Sequence, residues 1–168
     1  MMKINFKNNK GYTLLFAVLV SSIVLSIGIS ILTISKKEFL LSASARDSTS
    51  AFYAADSGLE CAAYYDNNGN YFSTSTTAGP FSCADFSITK QGGATGSEFE
   101  PYIFTFQIPL GTSGACSVIT VEKYYDDDDI ATTRIVSRGY NIGWSGGDEG
   151  ECAEPSSRRV ERALQLTY

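Results

Sequence analysis

Cys61, Cys83, Cys116 and Cys152 are the residues of this chain with the most specific chemistry open to them. A zinc or thioredoxin-type site would need a C-x-x-C pair, and no two of these cysteines are so spaced. Their spacing leaves disulfide formation. Four cysteines permit three connectivities, and Cys61–Cys83 with Cys116–Cys152 is the expected pair. The first would staple the end of a helix to the loop leaving it. The second would tie a strand to the long loop feeding the last strand. Each would contribute about 2–4 kcal/mol. Two acidic groupings come next. Asp56 and Glu60 stand four apart, so on a helix they share a face. Paired carboxylates can move protons, but the expected role is a solvated helix edge, because such charges are seldom buried. Four consecutive aspartates occupy 126–129. Oxygen-rich loops hold calcium, yet a calcium loop spaces its ligands and adds a bidentate acid. Consecutive side chains in a turn point apart, so a solvated hairpin tip is expected. The chain has no histidine. That removes Ser-His-Asp and Cys-His catalysis and His-rich zinc sites. No compact nucleophile–base motif replaces them. The reading is a protein that is not an enzyme and needs no cofactor or metal.

The elements that must position these residues begin with an apolar run. Residues 12–35 carry no charge. As a helix they rise about 36 Å, enough to cross the roughly 30 Å of a bilayer's hydrocarbon core. Residues 1–11 precede them as a short basic leader, with Lys3, Lys7 and Lys10 and no acid. A soluble-core helix needs one apolar face rather than all of them. A secretory signal peptide has a shorter apolar core, with its small-x-small cleavage site close behind. Ala43-Ser44-Ala45 lies well past the end of this run. A membrane helix is therefore expected over 12–35. Lys36, Lys37 and Glu38 follow it, so counting positive flanks places the N-terminus on the cytoplasmic side by a small margin. All four cysteines lie beyond the helix, which suits an exported, oxidising compartment.

No proline occurs from 12 to 65. One helix is expected across that range, with 36–65 its amphipathic continuation. Ser22, Ser26 and Ser30 recur every four residues. They either form a small-residue stripe against which another helix can pack or bond back to their own helix's carbonyls. Phe52, Ala55, Leu59 and Ala62 recur at threes and fours, which predicts the face laid on a sheet. Asp66-Asn67-Asn68-Gly69-Asn70 reads as helix stop and turn.

Residues 66–168 read as a β-rich exported head. Strands are predicted at 84–90, 102–108, 116–125, 133–140 and 160–168, with loops at 71–83, 91–100 and 141–153. The clearest is 102–108, where Tyr102, Phe104, Phe106 and Ile108 alternate with Ile103, Thr105 and Gln107. Short connections favour an antiparallel meander. The ten tyrosines and ten phenylalanines fit sheet core and sheet surface. Trp144, in a polar loop, is either an exposed binding residue or folded down onto the sheet. The fold class is α+β: a long N-terminal helix, its first half membrane-spanning, packed on a C-terminal antiparallel sheet. Formal net charge is −5, which argues against a nucleic-acid surface.

Lys10-Gly11 followed by Tyr12-Thr13-Leu14-Leu15 resembles the cleavage and methylation site of type IV prepilins. Ala45-Arg46-Asp47-Ser48-Thr49-Ser50-Ala51-Phe52-Tyr53-Ala54-Ala55-Asp56-Ser57-Gly58-Leu59-Glu60 is similar to a signature of PilX-type minor pilins. The two motifs together cover residues 8–62. The resemblance implies that a prepilin peptidase cuts after Gly11 and methylates Tyr12, where the family usually has Phe. It also implies a larger departure. Major pilins carry a glutamate at the fifth mature position, and this chain has Phe16. A carboxylate inside a membrane is costly unless paired, and in the family it pairs with a neighbouring subunit's terminal amine. Phe16 thus points away from a major fibre subunit. It points to a minor pilin or pseudopilin, at the tip of a type IV pilus-like fibre or priming its assembly.

On that resemblance the expected partners are the peptidase, other pilin or pseudopilin subunits and the membrane. The expected location is the bacterial inner membrane before assembly, with the head outside, and the pilus or cell surface afterwards. One alternative is a pilus-displayed adhesion module binding through loops 71–83 and 141–153. Another is a single-span anchored ectodomain that is never processed.

Overall fold

The computed structural model describes residues 10–69, 71–72, 80–88, 101–111, 114–125, 131–145, 151–152 and 158–168. One helix, α1, spans Lys10–Gly69. Six strands follow: β1 Phe81–Cys83, β2 Phe86–Ile88, β3 Tyr102–Leu110, β4 Ala115–Tyr125, β5 Ala131–Tyr140 and β6 Glu161–Thr167. The chain divides into two compact units, Met1–Ser44 and Ala45–Tyr168.

In the first unit α1 is bare. Every described side chain from Tyr12 to Leu41 is exposed. Polar side chains within it turn inward: Ser21 and Ser22 donate to the carbonyls of Val18 and Leu19 at 2.9 and 2.8 Å, and Thr33 to Ile29 at 2.9 Å. Such bonds hide a hydroxyl where water is scarce. For Ser22 this is the back-bonded alternative.

In the second unit the C-terminal part of α1 lies on an antiparallel meander of order β3-β4-β5-β6. This is the α+β arrangement the periodicities predict. Alternation sets one face of the sheet toward the helix. Phe106 pairs with Ile119, Ile119 with Ser137 and Ser137 with Leu164. Phe104, Phe106, Ile108, Ile119, Val121 and Ile135 form the core with Phe72, Phe81 and Ala62. Phe72 is fully buried and stacks on Phe106, ring centres 5.9 Å apart. Burying a side chain of that size stabilises by about 1.5–3 kcal/mol.

The helix face differs from the predicted one by part of a turn. Ala51, Ala54, Ala55, Gly58 and Ala62 are buried, Leu59 is half-buried, and Phe52 is 43% exposed. The smallest residues take the contact because the backbones come unusually close. A methyl placed on Gly139 of β5 would collide with the carbonyl oxygen of Ala51 and the amide of Ala55. A methyl on Gly58 would come within 2.6 Å of Ser117 Oγ and 2.7 Å of Ser137 Oγ. A phenylalanine facing the sheet would hold the two apart.

Two local expectations are corrected. The predicted 84–90 strand begins with a turn, since Ala84 and Asp85 have φ of 50° and 63°. They form the two-residue loop of a hairpin in which Cys83 faces Phe86. Positive φ at both central residues gives the turn the twist of its strands. The stop expected at 66–70 is the last helical turn as far as Gly69. Asn67 and Asn68 donate from Nδ2 to the carbonyls of Ala63 and Tyr64, at 2.9 and 3.2 Å. Tyr71 N–H donates to the Tyr65 carbonyl at 3.3 Å. The asparagine side chains thus turn back onto carbonyls of their own helix rather than starting a turn, and helix continues where turn residues alone would end it.

Candidate functional site

Two regions concentrate the chain's special features. The first is the exposed apolar half of α1. Gly11 and Tyr12 lie at its start, with Tyr12 72% exposed and Phe16 57% exposed. Leu14, Leu15, Val18, Leu19, Ile23 and Val24 are all bare. Side chains apolar on every side of a helix require an apolar medium, which is either lipid or other helices. The helix is long and apolar enough to cross a membrane. The exposed surface continues past Lys36, Lys37 and Glu38 to Phe39, Leu40 and Leu41, which are 74%, 59% and 73% exposed.

The second region is the clamp that fixes the head. Cys61 on α1 is bonded to Cys83 at the end of β1, Cα atoms 6.1 Å apart. Cys116 on β4 is bonded to Cys152, Cα atoms 5.8 Å apart. Cys152 also bridges Trp144. Its amide donates to Gln107 Oε1 at 2.6 Å, and its carbonyl accepts from Arg159 at 2.8 Å. The Arg159 guanidinium sits 3.7 Å above the Tyr140 ring. Trp144 is half-buried with its ring edge-on to Phe86 at 5.4 Å, so it is folded down. Buried Asn141 holds the next turn of chain, accepting from Val160 N–H at 2.7 Å and donating to the Arg158 carbonyl at 3.2 Å.

Asp66 and Lys123 form an ion pair that sequence reasoning missed. Asp66 lies in the last turn of α1, where a negative charge opposes the helix dipole. Lys123 is on the helix-facing side of β4. Their charged atoms are 2.6 Å apart, with the two side chains 4% and 10% exposed. Lys123 also donates to Thr133 Oγ1 at 3.3 Å, and Tyr168 donates to Asp66 Oδ2 at 2.8 Å. Burial, then the Asp66 carboxylate, pushes the Tyr168 phenol well above the ordinary phenol range. The signal was present in β4. Ser117, Ile119, Val121 and Lys123 alternate inward, and a lysine at an inward position needs a buried anion.

Other expected residues are not brought together. Asp56 is half-buried and Glu60 exposed, and neither forms an ion pair among the described residues. The aspartates at 126–129 lie outside the described residues. On the outer face, Arg134 and Tyr124 both bond the Glu122 carboxylate, and the bond to Glu122 raises the Tyr124 phenol.

Fold and site define a class: an α+β protein in which a helix of spanning length ends clamped to an antiparallel meander by small residues and a buried ion pair, and to the β1-β2 hairpin by a disulfide. No protein-family model, curated protein or solved structure matches this chain.

Proposed function

We propose that this protein is a structural subunit, a minor type IV pilin or pseudopilin that works by assembly and not by catalysis. The observation that carries the reading is the bare apolar helix from Tyr12 to Leu41, continuous with a segment locked onto a disulfide-bonded sheet. Such a helix is stored in a lipid bilayer and transferred into a bundle of helices without first meeting water. Both media cover it on all sides, and in both the helix satisfies its own backbone groups. On this reading Gly11 and Tyr12 are the processing site. Phe16 leaves no carboxylate to pair with a neighbour's terminal amine, which assigns the subunit a low-copy place at the tip or in priming. The head lies outside the membrane, where its two disulfides are stable.

The test is the intact mass and N-terminal peptide of the protein, expressed with and without a prepilin peptidase. A chain that begins at N-methylated Tyr12 only when the peptidase is present supports the reading. An uncut chain in the presence of the matching peptidase refutes it and leaves an anchored ectodomain.

A further inference from the structure

The apolar surface of α1 does not stop where the charges begin. Lys36, Lys37 and Glu38 interrupt it, and Phe39, Leu40 and Leu41 resume it at 74%, 59% and 73% exposure. Serines at 42 and 44 then end it. Consecutive helical residues point about 100° apart, so these three cover roughly 200° of the circumference. A single flat partner covers a stripe of about 100°. The girdle therefore calls for a surrounding medium. Length gives the same answer. From Tyr12 to Leu41 the helix rises about 45 Å, which matches a bilayer with its headgroup layers included rather than its hydrocarbon core alone. The charges fit that depth, since two exposed lysines against one glutamate leave a positive band that complements lipid phosphate.

We propose that the lipid contact of α1 runs on to Leu41, with Lys36 and Lys37 extending to the phosphates of anionic lipids and Phe39, Leu40 and Leu41 seated in the glycerol–carbonyl layer. Lysine stems are long enough to lie along apolar surface while the ammonium reaches the polar layer. Each basic residue near an anionic surface contributes attraction that salt screens. The aromatic ring of Phe39 fills the interfacial layer around them. This rests on the reading that residues 12–35 cross a membrane.

The experiment uses the full chain with Trp144→Phe, so that one tryptophan can be placed at will. Val24→Trp marks the middle of the span, Phe39→Trp the girdle and Tyr53→Trp the head. Each is reconstituted at a high ratio of lipid to protein, in vesicles of phosphatidylcholine with or without phosphatidylglycerol. Lipids brominated at shallow or deep chain positions serve as quenchers. The expected result has three parts. The tryptophan at 24 loses most of its emission to deep bromines, and the one at 39 loses most to shallow bromines with a blue-shifted spectrum. The one at 53 is unquenched. Adding phosphatidylglycerol deepens quenching at 39, and Lys36→Gln with Lys37→Gln abolishes that response. Quenching at 24 with solvated, unquenched emission at 39 overturns the proposal while leaving the span intact. Absence of quenching at 24 overturns the span and the proposal together. Shielding at 39 only when copies are crowded makes a second copy the occupant and also overturns it. An unchanged phosphatidylglycerol response in the double glutamine variant overturns the role given to the lysines.

Discussion

Gly139→Ala should be among the most damaging single-methyl changes in the head. The added carbon would meet the Ala51 carbonyl oxygen, the Ala55 amide and, at 2.8 Å, the Ala55 Cα. Carbon atoms pack at about 3.5–4.0 Å. The helix must therefore lift by about 1 Å, because β5 cannot sink: it is paired to Ser117 on one side and Arg162 on the other. A gap of that size forfeits a quarter to a half of the contact energy it opens. The buried methyls of Ala51, Ala54, Ala55 and Ala62 represent about 3 kcal/mol together, at about 0.8 kcal/mol each. Losing that share and adding the usual strain of overpacking gives a cost of about 2–4 kcal/mol. Replacing a strand glycine returns about 0.5–1 kcal/mol of that. Against a total stability of about 5–15 kcal/mol the net effect is large.

Gly58→Ala is the informative contrast. Its obstacles are the hydroxyls of Ser117 and Ser137 and, at 2.9 Å, Ile119 Cγ1, and neither hydroxyl has a hydrogen-bond partner among the described residues. Removing both with Ser117→Ala and Ser137→Ala should relieve the two nearest contacts, leaving that with Ile119, and remove two unsatisfied buried groups. The triple variant should recover most of the stability that Gly58→Ala loses, whereas no side-chain truncation should rescue Gly139→Ala. Urea unfolding of the full chain in detergent micelles, followed by the emission of its one tryptophan, Trp144, measures each effect as a midpoint shift at constant slope. A Gly139→Ala protein within about 0.5 kcal/mol of the parent would be no worse than an ordinary surface change and would refute the close approach of helix and sheet.

Further outcomes follow from the clamp. Asp66→Ala leaves Lys123 buried and unpaired and should cost about 3–5 kcal/mol, whereas Asp66→Leu with Lys123→Met should recover most of that loss; the same urea titration, run as a double-mutant cycle, reads the coupling. Cys61→Ser with Cys83→Ser opens a loop of sequence separation 22 and should cost about 3 kcal/mol, visible as a lower melting temperature without reductant. Tyr168 titrates above the ordinary phenol range in the folded state. The folded state thus holds a proton that the unfolded chain releases first. The stability this lends is intact below about pH 10 and falls as pH rises beyond it. Tyr168→Phe should make that alkaline decline shallower in stability measured from neutral pH upward, with Tyr124 and Tyr140, also raised, supplying what is left.

Local patterns were enough for much of the architecture. An uncharged run of spanning length, a break into small and polar residues, and the alternation of Tyr102, Phe104, Phe106 and Ile108 depend only on the period of helix or strand. The α+β arrangement and the antiparallel meander follow from those periods and from short connections. Tertiary structure decided what depends on distance between backbones. The helical spacing put Phe52 on the packed face with Ala55, Leu59 and Ala62, and its replacement there by Ala51 and Ala54 follows from how closely Gly58 and Gly139 let helix and sheet approach. The helix runs on to Gly69 through turn-forming residues because its asparagines bond back to its carbonyls and Asp66 meets a lysine far along the chain. The hairpin turn at Ala84 and Asp85 is set by the pairing of β1 with β2, since aspartate tolerates positive φ but alanine does not favour it. Which of three disulfide patterns forms depends on which Cα atoms lie about 6 Å apart. Sequence by itself determined the periodic elements and the exposed apolar helix, because these are properties of neighbouring residues. Contacts across the fold decided the packed face, the buried ion pair and the cysteine partners, because each is a relation between residues that only folding brings together.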